Sequence, residues 1–190
     1  EIIILGEKIL PGKSYQLKID IARLHTRTKI EVPVIISRAR KKGPCVLISA
    51  GIHGDELNGI EIVRQLVAHK YNIPDAGMII CVPVLNVFGF IMKTREFPDG
   101  RDLNRFFPGS KSGTLARKFA HAFITELVPF SDYCIDFHTG GSERFNFSQV
   151  RISKNDEETL NLAKIFGAKF IMLSSTIEKS FRDSATKLGK

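Results

Sequence analysis

The chain has no apolar run near the roughly 18 residues that a membrane-spanning helix needs. Its opening, EIIILGEKILPGK, also lacks the basic-then-apolar layout of a signal peptide. No membrane partner is expected, and the cytoplasm is the expected compartment. Cysteine is scarce: Cys45, Cys81 and Cys134 are odd in number, far apart and set in the apolar runs PCVLIS, MIICVPV and DYCIDF. They read as reduced core residues, with metal ligation as the alternative. Despite a net charge of +8 there is no basic stripe interleaved with aromatics. The densest cluster, RARKK from Arg38 to Lys42, reads as a solvated turn. A basic surface that favours small anionic substrates is expected, rather than a nucleic-acid partner. Internal repeats and low-complexity segments are absent too.

With 190 residues, 43% of them hydrophobic and 25% charged, the chain has material for a sizeable core and one globular domain. YQLKIDIARL and TKIEVPVIISRA alternate apolar and polar residues, the period of half-exposed antiparallel strands. After KKGP the pattern changes. PCVLISA, GMIICVPV and SDYCIDFH are continuous apolar runs, as expected of strands covered on both faces. Between and after them NGIEIVRQLVAHK, GTLARKFAHAFITELV and DEETLNLAKIFG repeat apolar residues at three and four, the mark of amphipathic helices. KFIMLSS follows as a further strand. This order implies an α/β fold: a mixed, largely parallel sheet flanked by helices on both faces, with an antiparallel N-terminal edge. Residues 1–42 are expected as antiparallel strands within the same domain as the α/β portion, 43–190. The chain begins at Glu1 and stops at TKLGK, where a helix-like segment ends in Gly189 and another strand is expected, so it reads as truncated. Val87 to Gly113 reads as a loop of a length usually tied to function.

In open α/β sheets, sites form beyond the carboxyl ends of strands. His53 and Glu56 lie just past PCVLISA in AGIHGDELNG, and His138 ends SDYCIDFH. Positions three apart on a turn that opens a helix project to one side, so imidazole and carboxylate can reach a common point. Gly51 and Gly54 allow the backbone to bend there, and Asp55 reads as a turn or helix-start residue. Two histidines and a glutamate are the ligand set of a catalytic zinc, which keeps a fourth position open. An H-x-x-E pair alone also fits a helix surface. The coincidence of three such residues at strand ends, beside the polar clusters RDLNR and HTGGSERFN, favours the metal. His25, His69 and His121 lack that context and read as surface or core residues.

GIHGDELNG, DGRDLNRFFPG and DFHTGGSERFN, in that order, resemble the succinylglutamate desuccinylase and aspartoacylase family of zinc-dependent deacylases, related to the zinc carboxypeptidases. The resemblance is good from about residue 44 to 151 and looser elsewhere. It implies one Zn2+ per chain held by His53, Glu56 and His138. It implies that Asp102 accepts a hydrogen bond from the first histidine, and that Asn104 and Arg105 bind a substrate carboxylate, which suits a bidentate guanidinium and an amide donor. Arg95 matches an arginine that polarises the scissile carbonyl, and Arg182 a late arginine that recognises the acyl or carboxylate end. Arg144, Asn146 and Gln149 belong to a loop expected to border the pocket. The implied reaction is hydrolysis of the amide bond of an N-acyl amino acid or related small acylated carboxylate by metal-activated water. The family's general-base glutamate and β-rich portion follow the segment that ends here at TKLGK. Glu143 and Glu178 do not match that base. The alternatives are a zinc carboxypeptidase acting on peptides and a non-catalytic metal- or ligand-binding relative. A small anionic N-acylated substrate is the expected partner, and a homo-oligomer stays open.

Overall fold

The computed structural model describes residues 1–23, 27, 29–142, 144–154 and 156–190. His25 and Glu143 lie outside the described residues. A short hairpin, β1 (Ile3–Ile4) and β2 (Glu7–Lys8), leads into β3 (Lys13–Arg23) and β4 (Lys29–Arg38). Then follow β5 (Cys45–Ala50), α1 (Leu57–Ala68), β6 (Met78–Val82), α2 (Val87–Met92), a 3-10 turn (Leu103–Arg105), α3 (Leu115–Glu126) and β7 (Tyr133–Phe137). The last elements are β8 (Val150–Ile152), α4 (Glu157–Phe166), β9 (Ile171–Leu173) and α5 (Phe181–Lys187).

The main sheet has five strands in the order β3-β4-β6-β5-β7. β3, β4 and β6 pair antiparallel, while β5 runs parallel to both β6 and β7. The alternating N-terminal segments are thus the antiparallel edge, and the continuous apolar runs form the parallel part of the sheet, with β5 and β6 inside it and the half-buried β7 at its other edge. β8 and β9 make a separate parallel pair.

Alternation along β5 explains why it needs helices on both sides. Cys45 and Leu47 face one core with Phe119, Ala120 and Phe123 of α3. Ile48 and Ala50 face the other with Val63 of α1. Neighbouring residues on a strand point to opposite faces, so an apolar run with no polar break requires cover on each. The three cysteines are unpaired, and burial pushes the thiols of Cys45 and Cys81 up to about 12, as suits inert core residues.

Two elements depart from the sequence reading. VFGFIM, within the expected loop, forms α2 because Asn86 caps it, its Oδ1 accepting the Gly89 N–H at 2.9 Å. β8 spans only VRI, too short for a periodic signal, and exists because it pairs with β9. No helix among the described residues is long and apolar enough to cross a membrane.

Candidate metal centre

The site forms where β5 and β7 end side by side. Their parallel register sets Ala50 opposite Phe137, so the residues after each strand leave the same sheet edge. Past Ala50 the chain turns at Gly51, whose φ of +63° is a conformation that glycine takes without strain. The backbone then presses against α2 at Gly54. A Cβ there would lie 1.9 Å from the carbonyl carbon of Gly89, closer than any repacking absorbs. Gly54→Ala is therefore expected to cost about 3 kcal/mol by overpacking. Unfolding in urea measures it, and an unchanged midpoint would contradict the contact.

His53 and Glu56 are 3% and 4% exposed. Glu56 occupies the N-cap of α1 but makes no capping bond with its side chain. Its carboxylate turns inward instead. Oε1 lies 2.7 Å from His53 Nδ1, and Oε2 lies 2.9 Å from His138 Nδ1 and accepts the Thr139 N–H at 2.9 Å. The two imidazole centroids are 5.1 Å apart. One ligand atom from each of His53, Glu56 and His138 falls within 4.8 Å of the others, close enough to hold a metal ion.

Each imidazole has a carboxylate behind it. His53 Nε2 is 3.1 Å from Asp102 Oδ1, and His138 Nε2 is 2.8 Å from Asp136 Oδ2. A ring that donates from Nε2 outward leaves Nδ1 to face the centre, the arrangement that makes histidine a metal ligand. Asp136 is itself fixed by the Ser49 hydroxyl, which donates to Oδ1 at 2.7 Å. The sequence reading missed Asp136. The signal was present, since residues two apart at a strand end share a face and Asp136 stands two before His138.

The charges reinforce one another. Burial works against ionisation of Glu56, but hydrogen bonds from His138 and His53 outweigh it and hold the carboxyl well below the usual carboxylate range. Asp102 is also opposed by burial, yet His53 and Arg95 bring it far down. Burial disfavours the charged form of His138, but Asp136 and Glu56 on either side push its pKa up to about 10. His53 is raised in the same way, by Asp102 and Glu56 against burial.

Of the other residues singled out in the sequence, Arg95 joins the centre. Its Nη2 donates to Asp102 Oδ2 at 2.9 Å and its Nη1 lies 3.4 Å from Glu56 Oε1. Asp102 Oδ1 also accepts the Asn104 N–H at 2.9 Å, which anchors the 3-10 turn. Asn104 Oδ1 accepts the Phe181 N–H at 2.8 Å, so its amide is oriented with the NH2 group left to donate. Arg105 is exposed, with Nη1 donating to the Asn104 carbonyl at 2.7 Å. The guanidinium of Arg182 bonds elsewhere, to Ser174 Oγ at 3.2 Å and the Ser175 carbonyl at 2.8 Å. Arg144 Nε donates to the Gly141 carbonyl, and Gln149 to Asn146 Oδ1. Asp55 does more than begin a helix. Its Oδ2 accepts the Ser142 N–H at 3.0 Å, tying the loop after His138 to the bend that carries Glu56.

Residues 42–190 match the model of the succinylglutamate desuccinylase/aspartoacylase catalytic domain. The chain belongs to that family. It is 32% identical over 169 residues to the N-alpha-acetyl-L-2,4-diaminobutyric acid deacetylase of Halomonas elongata, covering 85% of this chain and 49% of that protein. An aspartoacylase family protein from Mesorhizobium loti is 28% identical with a TM-score of 0.83, over 95% of this chain and 60% of that one. The carboxypeptidase-like thrombin activatable fibrinolysis inhibitor shares the fold at 17% identity and a TM-score of 0.67, over 92% of this chain and 58% of that one. The chain spans about half the length of the curated relative it matches. Family membership and the mixed α/β fold thus agree with the sequence reading, and the geometry adds a centre in which three ligand-type atoms converge.

Proposed function

We propose that this chain is the catalytic part of a zinc-dependent hydrolase that cleaves the amide bond of an N-acyl amino acid or related small acylated carboxylate. The observation that carries the reading is the convergence of His53 Nδ1, His138 Nδ1 and the Glu56 carboxylate. The donor set suits zinc: two imidazoles backed by carboxylates and one ionised carboxylate form a three-ligand site. Bound there, zinc supplies polarisation of an amide carbonyl and lowers the pKa of water.

The chain's own groups do the rest. Asp102 and Asp136 hold the two rings with Nδ1 inward. Arg95, fixed by Asp102 and Glu56, places a positive charge where negative charge develops on the carbonyl oxygen. Arg105 grips the substrate carboxylate, and the NH2 group of Asn104 adds a further donor. Arg182 serves the acyl or carboxylate end. Proton acceptance is assigned to no residue among those described. The three unpaired cysteines support a reducing compartment, and we place the protein in the cytoplasm.

Elemental analysis of the purified protein is expected to find one zinc per chain and none in His53→Ala, the control. A wild-type chain without metal would overturn the reading. N-acyl amino acids should be cleaved in preference to short peptides, and the reverse preference would favour a peptidase.

A further inference from the structure

Asn86 stands between β6 and α2 and is fully buried. It is bonded to two parts of the centre at once. Its backbone N–H donates at 2.8 Å to the carbonyl of Gly51, in the bend that leads to His53. Its side-chain NH2 group donates to the Glu96 carbonyl at 2.8 Å and to the Arg95 carbonyl at 3.3 Å. With Oδ1 accepting the Gly89 N–H, both polar atoms of the amide are engaged.

The cap on α2 needs only the oxygen. Serine and aspartate cap a helix as well as asparagine does, so the two donated bonds call for a separate reason. The path of the chain supplies it. α2 ends at Lys93, whose φ of +54° turns the backbone, and the Thr94 N–H donates to the Gly89 carbonyl at 2.8 Å. Arg95 and Glu96 are thereby brought back alongside Asn86, in a stretch that belongs to no helix or strand. At the far end of the side chain, Arg95 Nε and Nη2 donate to Asp102 Oδ2 at 3.3 and 2.9 Å. Those bonds orient the guanidinium, and the bond to the Arg95 carbonyl holds the base from which it reaches. Such placement matters, since a displacement of about 1 Å can cost about 100-fold in rate.

We propose that Asn86 is a positioning residue, which sets the place of the Arg95 guanidinium relative to the bend that carries His53 and Glu56. The consequence for catalysis rests on the deacylase reading, whereas the placement of Arg95 does not.

Asn86→Ser separates the two duties of the amide, because serine keeps the cap and is too short to hold the carbonyls of residues 95 and 96. In nitrogen-15 NMR spectra of the full chain, the Arg95 Nε–H resonance is identified by its loss in Arg95→Met. It is expected to exchange slowly in the wild type and to be displaced or lost in Asn86→Ser. With zinc content matched and an N-acyl amino acid as substrate, Arg95→Met should lower kcat about 100-fold, the scale of one donor to a developing oxyanion. Asn86→Ser should lower kcat about tenfold and change KM by less than about threefold. The double variant should be no slower than Arg95→Met, since Asn86 acts through Arg95. An unmoved Arg95 resonance in folded Asn86→Ser, or a further loss of about tenfold in the double variant, overturns the proposal. Asn86→Asp, which fills the same volume and also caps, gives the same readouts if the serine variant unfolds. Unfolding of both would reduce Asn86 to a part of the scaffold and overturn the proposal too. A wild-type chain that cleaves no N-acyl amino acid would sink the deacylase reading, and the Arg95 resonance would still decide the positioning.

Discussion

Glu56→Gln is expected to lower zinc affinity by well over about 100-fold, more than the 10- to 100-fold that loss of an outer carboxylate typically costs. Both oxygens of the native carboxylate are committed. Oε1 faces His53 Nδ1 and Arg95 Nη1, while Oε2 faces His138 Nδ1 and the Thr139 N–H. A glutamine must turn its NH2 group toward one of these pairs, where donor meets donor. It also removes the negative charge from between two imidazoles whose centroids are 5.1 Å apart. Stripping one partner from a buried charge network costs about 3 kcal/mol or more, so the metal-free variant should also be less stable. Asp136→Asn keeps all three ligands and loosens only the orientation of His138, so its effect should be smaller. Competition with a chromophoric chelator gives the affinities, and circular dichroism checks that each variant folds. An Asp136→Asn loss equal to or larger than that of Glu56→Gln would mean that Glu56 is not a ligand.

Zinc affinity should fall steeply with acidity, by about 100-fold between pH 8 and pH 6 from His138 alone. In the metal-free protein Asp136 and Glu56 raise that histidine to about 10 against the pull of burial, so it carries a proton across this whole range. A metal needs the lone pair on Nδ1 and must displace the proton, at about tenfold in affinity per pH unit. His53, raised in the same sense, adds to the slope. Stability of the metal-free chain runs the other way. A histidine raised above its ordinary 6.5 contributes fully below that pH and loses its contribution as pH climbs through about 10. Glu56, depressed from its ordinary 4.5, contributes above that value and loses its contribution in stronger acid. Scanning calorimetry should therefore show the metal-free Tm declining from pH 7 toward pH 10, while the increment produced by zinc grows. A zinc increment independent of pH would contradict the protonated state assigned to His138.

Much of this centre was legible beforehand because its signals are local. The continuous apolar run before AGIHGDELNG announces a covered strand, and a histidine and a glutamate three apart past its end share a side whatever the rest of the chain does. The β5–α1–β6 order and the amphipathic α3 were readable for the same reason. β8 was not, because three residues carry no period, and its pairing partner lies some twenty residues downstream. Asp55 looked like a cap because aspartates before helices commonly are. Its actual bond is to Ser142, 87 positions away.

By itself, then, the sequence determined which ligand-type residues stand at strand ends and which segments must be buried, since both follow from side-chain chemistry and local periodicity. Only the tertiary structure decided that they meet. The parallel pairing of β5 with β7 sets Phe137 beside Ala50, and that register brings His138 onto Glu56. It likewise gave Asp136, Asp55 and Asn104 their partners, because a carboxylate or amide acquires its role from the group opposite, and long-range packing chooses that group.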